Sequence, residues 1–151
     1  MSDEAHARTQ IQYAMATYAL GVDSSDVDII LESFAPDGVL DARGDARKGH
    51  GEIRAFYESA LADGIAAKKA GTRRFLRHNL TTSRVVIESA DRARGQTYFI
   101  SMSDYGPDHS GLYTDVFARH GERWLIHHRQ IAVEWYGKGS WFETVRLGVK
   151  S

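Results

Sequence analysis

The order of hydrophobic patterns along the chain predicts an α+β domain whose sheet is mainly antiparallel. Before residue 64, apolar residues recur with the 3.6-residue period of amphipathic helices. From Arg74 onward, β-branched and aromatic residues dominate, and clusters of Gly and Asp interrupt them at short intervals. Helices followed by hairpin-linked strands are typical of the α+β class. The length of 151 residues predicts a single domain, residues 1–151, because two domains of half that size would each bury only a small core.

Two helices and a turn are predicted at the start of the chain. The first helix covers residues 5–20, where apolar residues share one helical face, and it ends at Gly21. Residues 23–26 are Asp and Ser, which are good N-cap residues, and residues 27–34 then repeat with helical period. The Pro-Asp-Gly sequence at 36–38 predicts a turn after this second helix.

A third helix is predicted over residues 51–63, after a short strand at residues 39–41. Residues 65–72 show no clear period, so we expect a loop or a frayed helix there. Four long strands follow, with turn residues between them. They are predicted at residues 75–88, 94–105, 110–119 and 123–135.

Composition excludes several classes of function. The formal net charge is −1 and the pI is about 6.6, so the chain lacks the excess of Lys and Arg that nucleic-acid binding requires. No apolar run is long enough to cross a membrane, and residues 1–4 resemble no signal peptide. We therefore expect a cytoplasmic protein without nucleic-acid or membrane partners. The absence of cysteine excludes disulfides, thiolate ligands and a cysteine nucleophile.

His78 is the first candidate for catalysis. Strand alternation places it on the same face as Leu76 and Leu80. One interpretation is a hydrogen-bonded core histidine. The other is an acid–base residue, because imidazole is matched to proton transfer near neutral pH and a concave sheet face is where a pocket would form.

Asp23 also has two interpretations. It can cap the second helix, or it can orient the His78 imidazole and stabilise the imidazolium. The two residues are far apart in sequence, so spacing alone cannot pair them.

Further candidates come from the histidines and aromatic residues of the strands. His127 and His128 are adjacent and must point to opposite faces, and parity with Trp124 and Ile126 predicts that His128 points inward. Another group can form the walls of a substrate pocket or pack as plain core residues. Its members are Tyr18, Tyr98, Met102, Tyr113 and Trp135.

No motif indicates a metal or a cofactor. The chain has seven histidines, yet it contains no His-Glu-x-x-His sequence and no cysteine ligand. It has no Gly-x-Ser-x-Gly elbow either, which argues against a serine hydrolase. We expect neither a bound metal nor an organic cofactor.

Several short motifs, spread over residues 8–136, resemble the SnoaL-like group of the NTF2-like superfamily. They are Gly21-Val22-Asp23, Phe34-Ala35-Pro36-Asp37-Gly38, Gly49 to Ile53, Arg77-His78-Asn79-Leu80 and Trp124-Leu125-Ile126. The resemblance implies an NTF2-like cone, in which three N-terminal helices pack on a strongly curved, mainly antiparallel sheet and enclose a pocket. Membership of this group does not specify one function, because its proteins include lyases, isomerases, cyclases and non-catalytic subunits.

Within this group the pattern is most similar to scytalone dehydratase and hexachlorocyclohexane dehydrochlorinase. In both, an aspartate at the start of the second helix orients a histidine on the first long strand, and Asp23 and His78 occupy the matching places. The resemblance implies a cofactor-independent lyase or isomerase that acts on a small, apolar, cyclic substrate. Tyr18 and His128 would assist the substrate oxygen or the leaving group. The dehydrochlorinase has a lysine at the place of Tyr18 and an arginine near His128, so a different leaving group is expected here.

Two alternatives remain open. One is a non-catalytic binding or subunit protein, such as the small subunit of a ring-hydroxylating dioxygenase, and the other is a polyketide cyclase. A homodimer or homotrimer is expected in each case, because four long strands carry more apolar side chains than three helices can cover.

Overall fold

The computed structural model describes residues 3–72 and 74–140. Helices come first in this part of the chain, and long strands follow. The helices are α1 (Asp3–Asp23), α2 (Val27–Glu32), α3 (Gly49–Ala60) and α4 (Ala62–Lys69). The strands are β1 (Phe34–Ala42), β2 (Asp45–Lys48), β3 (Leu76–Ile87), β4 (Arg92–Ser103), β5 (Gly106–His120) and β6 (Arg123–Tyr136). The α+β prediction is confirmed, and the four long strands lie where they were expected. No described helix is long and apolar enough to cross a membrane.

The six strands form one open sheet in the order β2-β1-β6-β5-β4-β3. Neighbouring strands are antiparallel except β1 and β6, which are parallel. Register shifts interrupt the pairing of β3 with β4, of β4 with β5, and at two places that of β5 with β6. Each such irregularity bends and twists the strands. The sheet therefore curls around the helices without closing into a barrel.

The structure differs from the sequence predictions at three places before residue 70. The Pro-Asp-Gly sequence at 36–38 lies inside β1 rather than in a turn, at the point where pairing with β6 shifts register. The third helix, predicted to reach residue 63, ends at Ala60, and a separate helix α4 covers residues 62–69, in agreement with the helical alternative for residues 65–72. The short strand β2 was not predicted because Asp45–Lys48 has no apolar alternation and is recognised only through its pairing with β1.

Helix α1 covers the concave face of the sheet. Its buried residues Ile11, Met15, Tyr18 and Val22 form one helical stripe, as an amphipathic helix requires. This stripe packs in one core cluster with Phe99, Phe117 and other strand residues. The end of α1 is thereby placed beside the start of β3.

Candidate active site

Asp23 and His78 are in direct contact. Asp23 is the last residue of α1, and His78 lies near the start of β3. The backbone N–H of His78 donates to both carboxylate oxygens of Asp23 at 3.0 Å, and its Nδ1 lies 2.7 Å from Asp23 Oδ1. The two side chains are only 6% and 8% exposed. The carboxylate is therefore held by the backbone that also carries the imidazole.

The cap of α2 is Asp26, not Asp23. Asp26 has extended backbone angles, and its Oδ1 accepts a hydrogen bond from the backbone N–H of Ile29 at 3.3 Å. The interpretation of Asp23 as the cap is wrong. Its expected place at the start of the second helix is wrong too, because α1 extends three residues beyond the predicted end at residue 20.

The described residues surround a cavity of about 360 Å³ beside this pair. His78 lines the cavity, and Asp23 lies behind the imidazole. Most of the wall is apolar or aromatic, and its rings belong to Tyr18, Phe56, Tyr57, Phe99 and Tyr113. A cavity of this size and character suits a small, largely apolar molecule.

Two tyrosine hydroxyls meet in this wall. The hydroxyls of Tyr18 and Tyr57 lie 2.6 Å apart, and both residues are buried. Burial raises the pKa of Tyr18, although the nearby Arg129 opposes the shift, and burial raises the pKa of Tyr57 well above its ordinary value. Both phenols are therefore neutral at physiological pH. One donates to the other, so the pair retains one O–H that can donate to a substrate oxygen.

The inward residue near the middle of β6 is Arg129, and the prediction for His128 is wrong. The pairing of β5 with β6 shifts register between Val116 and Phe117, opposite His128 and Ile126. An extra residue at this bulge reverses the alternation on which the prediction depended. His128 is half-buried and lies outside the cavity lining.

Arg129 is fully buried and paired with Asp115. Its Nε and Nη2 donate to the two oxygens of Asp115 at 2.8 and 2.7 Å. The guanidinium lies 4.2 Å from the ring centres of both Tyr18 and Tyr113. Burial alone would lower the pKa of Arg129, but Asp115 outweighs it and raises that pKa above its ordinary value.

Tyr98, Met102 and Trp135 do not line the cavity, so their expected role as its walls is wrong. Tyr98 is 52% exposed because the alternation of β4 places its neighbours Thr97 and Phe99 inward. Trp135 is 49% exposed and follows a register shift in β6. Met102 follows a register shift after the buried Ser101. Tyr18 and Tyr113, by contrast, lie in the wall.

A second His–Asp pair at the cavity was not predicted. His109 Nδ1 lies 2.6 Å from Asp108 Oδ2, and both residues line the cavity. The His78 and His109 rings meet edge to face, with centroids 5.6 Å apart. The Gly-Pro-Asp sequence at residues 106–108 was interpreted as a turn between two strands. Strand alternation from Tyr113 through Gly111 to His109 could nevertheless have placed His109 on the inward face.

No group of three or more metal-ligating side chains occurs within residues 3–72 and 74–140.

Comparison with known proteins identifies the class. Residues 3–130 match the model of the SnoaL-like domain, so the chain belongs to this family. No curated protein sequence matches the chain at a significant level.

Three solved structures illustrate the similarity. Hexachlorocyclohexane dehydrochlorinase from Novosphingobium barchaimii is 17% identical, with 89% of this chain and 91% of that chain aligned and a TM-score of 0.73. A candidate scytalone dehydratase from Novosphingobium aromaticivorans is 14% identical over 89% of each chain, with a TM-score of 0.72. A candidate aromatic ring hydroxylase from the same organism is 26% identical, with 85% and 90% aligned and a TM-score of 0.68. The NTF2-like, cystatin-like fold is thereby confirmed.

Proposed function

We propose that this protein is a cofactor-independent lyase of the dehydratase type, or an isomerase that uses the same first step, and that it acts on a small, apolar, cyclic substrate. The observation that carries the proposal is the hydrogen bond between Asp23 and His78 at the wall of an apolar cavity. The likeness to a dehydrochlorinase and a candidate dehydratase supports the reaction class.

His78 acts as the base. An ionised Asp23 can only accept, so His78 Nδ1 carries the proton in this pair and Nε2 holds the lone pair. Transfer of a substrate proton to Nε2 makes an imidazolium, which the adjacent carboxylate stabilises. The three hydrogen bonds between Asp23 and His78 fix the orientation of the ring before substrate arrives.

Tyr18 and Tyr57 polarise a substrate carbonyl. A carbon proton becomes acidic when the enolate that it leaves behind is stabilised by hydrogen bonds. The paired phenols line the same cavity as His78 and retain one O–H to donate. Their raised pKa keeps that proton in place at neutral pH. The predicted assistance by Tyr18 is thus retained in the proposal, and Tyr57 is added to it.

The first step can be tested without knowing the natural substrate. We expect the wild-type protein to accelerate hydrogen–deuterium exchange at the α-carbons of cyclic ketones such as 2-tetralone in D₂O, followed by proton NMR. His78→Gln should remove this acceleration, while His128→Gln, outside the cavity, should retain it. Equal exchange rates for wild type and a folded His78→Gln variant would contradict the proposal.

A second candidate is a non-catalytic ligand-binding or subunit protein. It is supported by the likeness to a candidate aromatic ring hydroxylase, which is 26% identical. A polyketide cyclase would use the same cavity and would differ from the proposed lyase or isomerase in its substrate. The binding protein would hold a cyclic ligand without accelerating exchange, so the experiment above separates it from the enzyme.

Self-association is a further part of the proposal. Tyr98 and Trp135 expose about half of their surface, and a second copy of the chain would cover such rings. We expect a dimer or trimer at micromolar concentration in analytical ultracentrifugation. A monomer under these conditions would contradict this part and leave the proposed chemistry unaffected.

A further inference from the structure

Two arginines lie in the wall of the otherwise mainly apolar cavity. Arg43 is the first residue of the two-residue turn that joins β1 to β2, and Arg74 lies two residues before β3. Both residues line the cavity, and both are exposed to solvent. The strand directions place the end of β1 and the start of β3 at the same end of the sheet. The two cations therefore lie where the cavity meets solvent.

Arg43 has a backbone conformation that arginine seldom adopts. Its φ is 64° and that of Gly44 is 73°, so both central residues of the turn are left-handed. A two-residue hairpin turn of this geometry favours Asn-Gly, because asparagine and glycine tolerate positive φ at little cost. Strained residues cluster at functional sites, and this one lines the cavity. The turn thus carries a cation at the cavity where the backbone favours asparagine.

We propose that Arg43 and Arg74 bind a carboxylate group of the substrate while its ring occupies the apolar part of the cavity. The inference rests on the proposed function for the ring and for the reaction at His78, and it adds one anionic group to the substrate. Guanidinium groups match carboxylates, because their N–H donors form paired, charge-assisted hydrogen bonds. Each guanidinium has five N–H donors, so a contact elsewhere still leaves donors for the substrate.

The electrostatic surroundings of the two arginines favour an anion beside them. Burial lowers the pKa of Arg43, and the nearby cation of Arg47 adds to this shift. Arginine nevertheless stays charged at physiological pH, so the Arg43 guanidinium is partly desolvated and lies near a like charge. A bound carboxylate would offset both effects. Within residues 3–72 and 74–140, the Arg74 guanidinium has no hydrogen-bond or ion-pair partner.

A single negative charge suits this cavity better than a double one. Asp108 also lines the cavity, where its carboxylate is held by His109 and Ser140. Its negative charge opposes part of the attraction that the two arginines exert on an anion. A carboxylate carries one negative charge at neutral pH, whereas a phosphate monoester carries almost two. The balance of charge therefore favours a carboxylate over a phosphate.

The test compares binding of 2-naphthoate and 2-naphthamide, two ligands of similar shape that differ in charge. In isothermal titration calorimetry, Arg43→Asn and Arg74→Gln should each weaken 2-naphthoate binding about threefold to tenfold, the effect of one charge-assisted contact, and leave 2-naphthamide binding unchanged. Arg84→Gln, at an exposed position of β3 outside the cavity lining, removes the same charge and is the matched control. An unchanged ratio of the two affinities in a folded double variant, Arg43→Asn with Arg74→Gln, would overturn the proposal.

The Arg43→Asn variant also separates a binding role from a structural one. Asparagine suits the left-handed position, so we expect the unfolding temperature to rise by about 1–3 °C while 2-naphthoate binding weakens. If Arg43 instead served to hold the turn together, the same replacement would lower the unfolding temperature and weaken both ligands alike. That result would overturn the assignment of Arg43.

A second measurement uses the wild-type protein and needs no variant. 2-Naphthoate should bind more tightly than 2-naphthamide in about 20 mM KCl, and the preference should shrink in about 500 mM KCl, because salt screens the exposed arginines. 2-Naphthyl phosphate should bind more weakly than 2-naphthoate, since Asp108 repels the second charge. Equal affinities for naphthoate and naphthamide at low salt, or tighter binding of the phosphate, would overturn the proposal. These measurements require no turnover, so failure here is distinguishable from failure of the ketone exchange.

Discussion

Two buried carboxylates in this molecule each hold a cationic or basic partner, yet their surroundings differ. Asp115 and Arg129 are completely buried, and the guanidinium lies between two tyrosine rings. Asp23 and His78 are almost as buried, but the imidazole lines a cavity. Neither residue of the first pair lines the cavity, whereas the second pair presents the imidazole of His78 to it. Access to the cavity, rather than burial or charge, separates the pair that we propose to be catalytic from the structural one.

The largest expected effect is on the Asp23–His78 pair. Asp23→Asn should lower the rate of ketone α-proton exchange by about two to four powers of ten, since an amide no longer fixes the reactive tautomer of His78. The fold should be retained because the amide oxygen can still accept from the His78 backbone. Exchange kinetics and circular dichroism check both statements. An Asp23→Asn variant with wild-type kinetics would place this pair in the same structural category as Asp115 and Arg129.

The structural pair should show the opposite behaviour. Asp115→Asn leaves a buried cation without its counter-charge, and we expect a loss of about 3–5 kcal/mol in the free energy of unfolding. The double replacement Asp115→Leu with Arg129→Met should recover much of that loss, because it removes both charges together. Urea unfolding of Asp115→Leu, Arg129→Met and the double variant measures the coupling between the two residues. Full stability of Asp115→Asn would show that the pair is not a structural element.

A third effect concerns pH and the His109–Asp108 pair. Burial lowers the pKa of His109 in the folded state, so the unfolded chain binds a proton more readily. The stabilisation that neutral His109 contributes is therefore present above about pH 6.5, which is the pKa of histidine in the unfolded chain. It is lost as the pH falls below that value. Thermal unfolding between pH 7.5 and 5 should show a steeper decline for the wild type than for His109→Gln. An equal decline of the unfolding temperature with pH in the two proteins would contradict the lowered pKa of His109.

The smallest effect distinguishes Asp26 from Asp23. Asp26→Ala removes the cap of α2, and we expect the free energy of unfolding to fall by about 1 kcal/mol. Ketone exchange should proceed at the wild-type rate, because Asp26 lies away from the cavity lining. A large loss of exchange in this variant would contradict the assignment of the two aspartates.

The sequence was most informative where the hydrophobic pattern of a single helix or strand was sufficient for a prediction. The helical stripe of α1 and the alternation of β4 and β5 predicted the fold class, and strand parity placed His78 inward. Asp23 was chosen through a family resemblance, since no local pattern connects it with a residue so far along the chain. The second pair, Asp108 and His109, was missed because it follows Gly-Pro and was interpreted as part of a turn.

The prediction of inward and outward side chains from strand alternation failed wherever a strand contained a register shift. His128, Met102 and Trp135 all lie near register shifts, and one extra residue moves every later side chain to the other face. Tyr98 lies in a regular stretch of β4 between the inward Thr97 and Phe99, so alternation alone places it outward.

The sequence by itself determined the α+β class, the order of helices and long strands, and the inward position of His78. Those features follow from local periodicity, which each segment carries on its own. Only the tertiary structure decided that the end of α1 meets β3, that β1 runs parallel to β6, and that Arg129 rather than His128 enters the core. Such contacts join distant segments, and they depend on how the curled sheet wraps around α1, which no local pattern records.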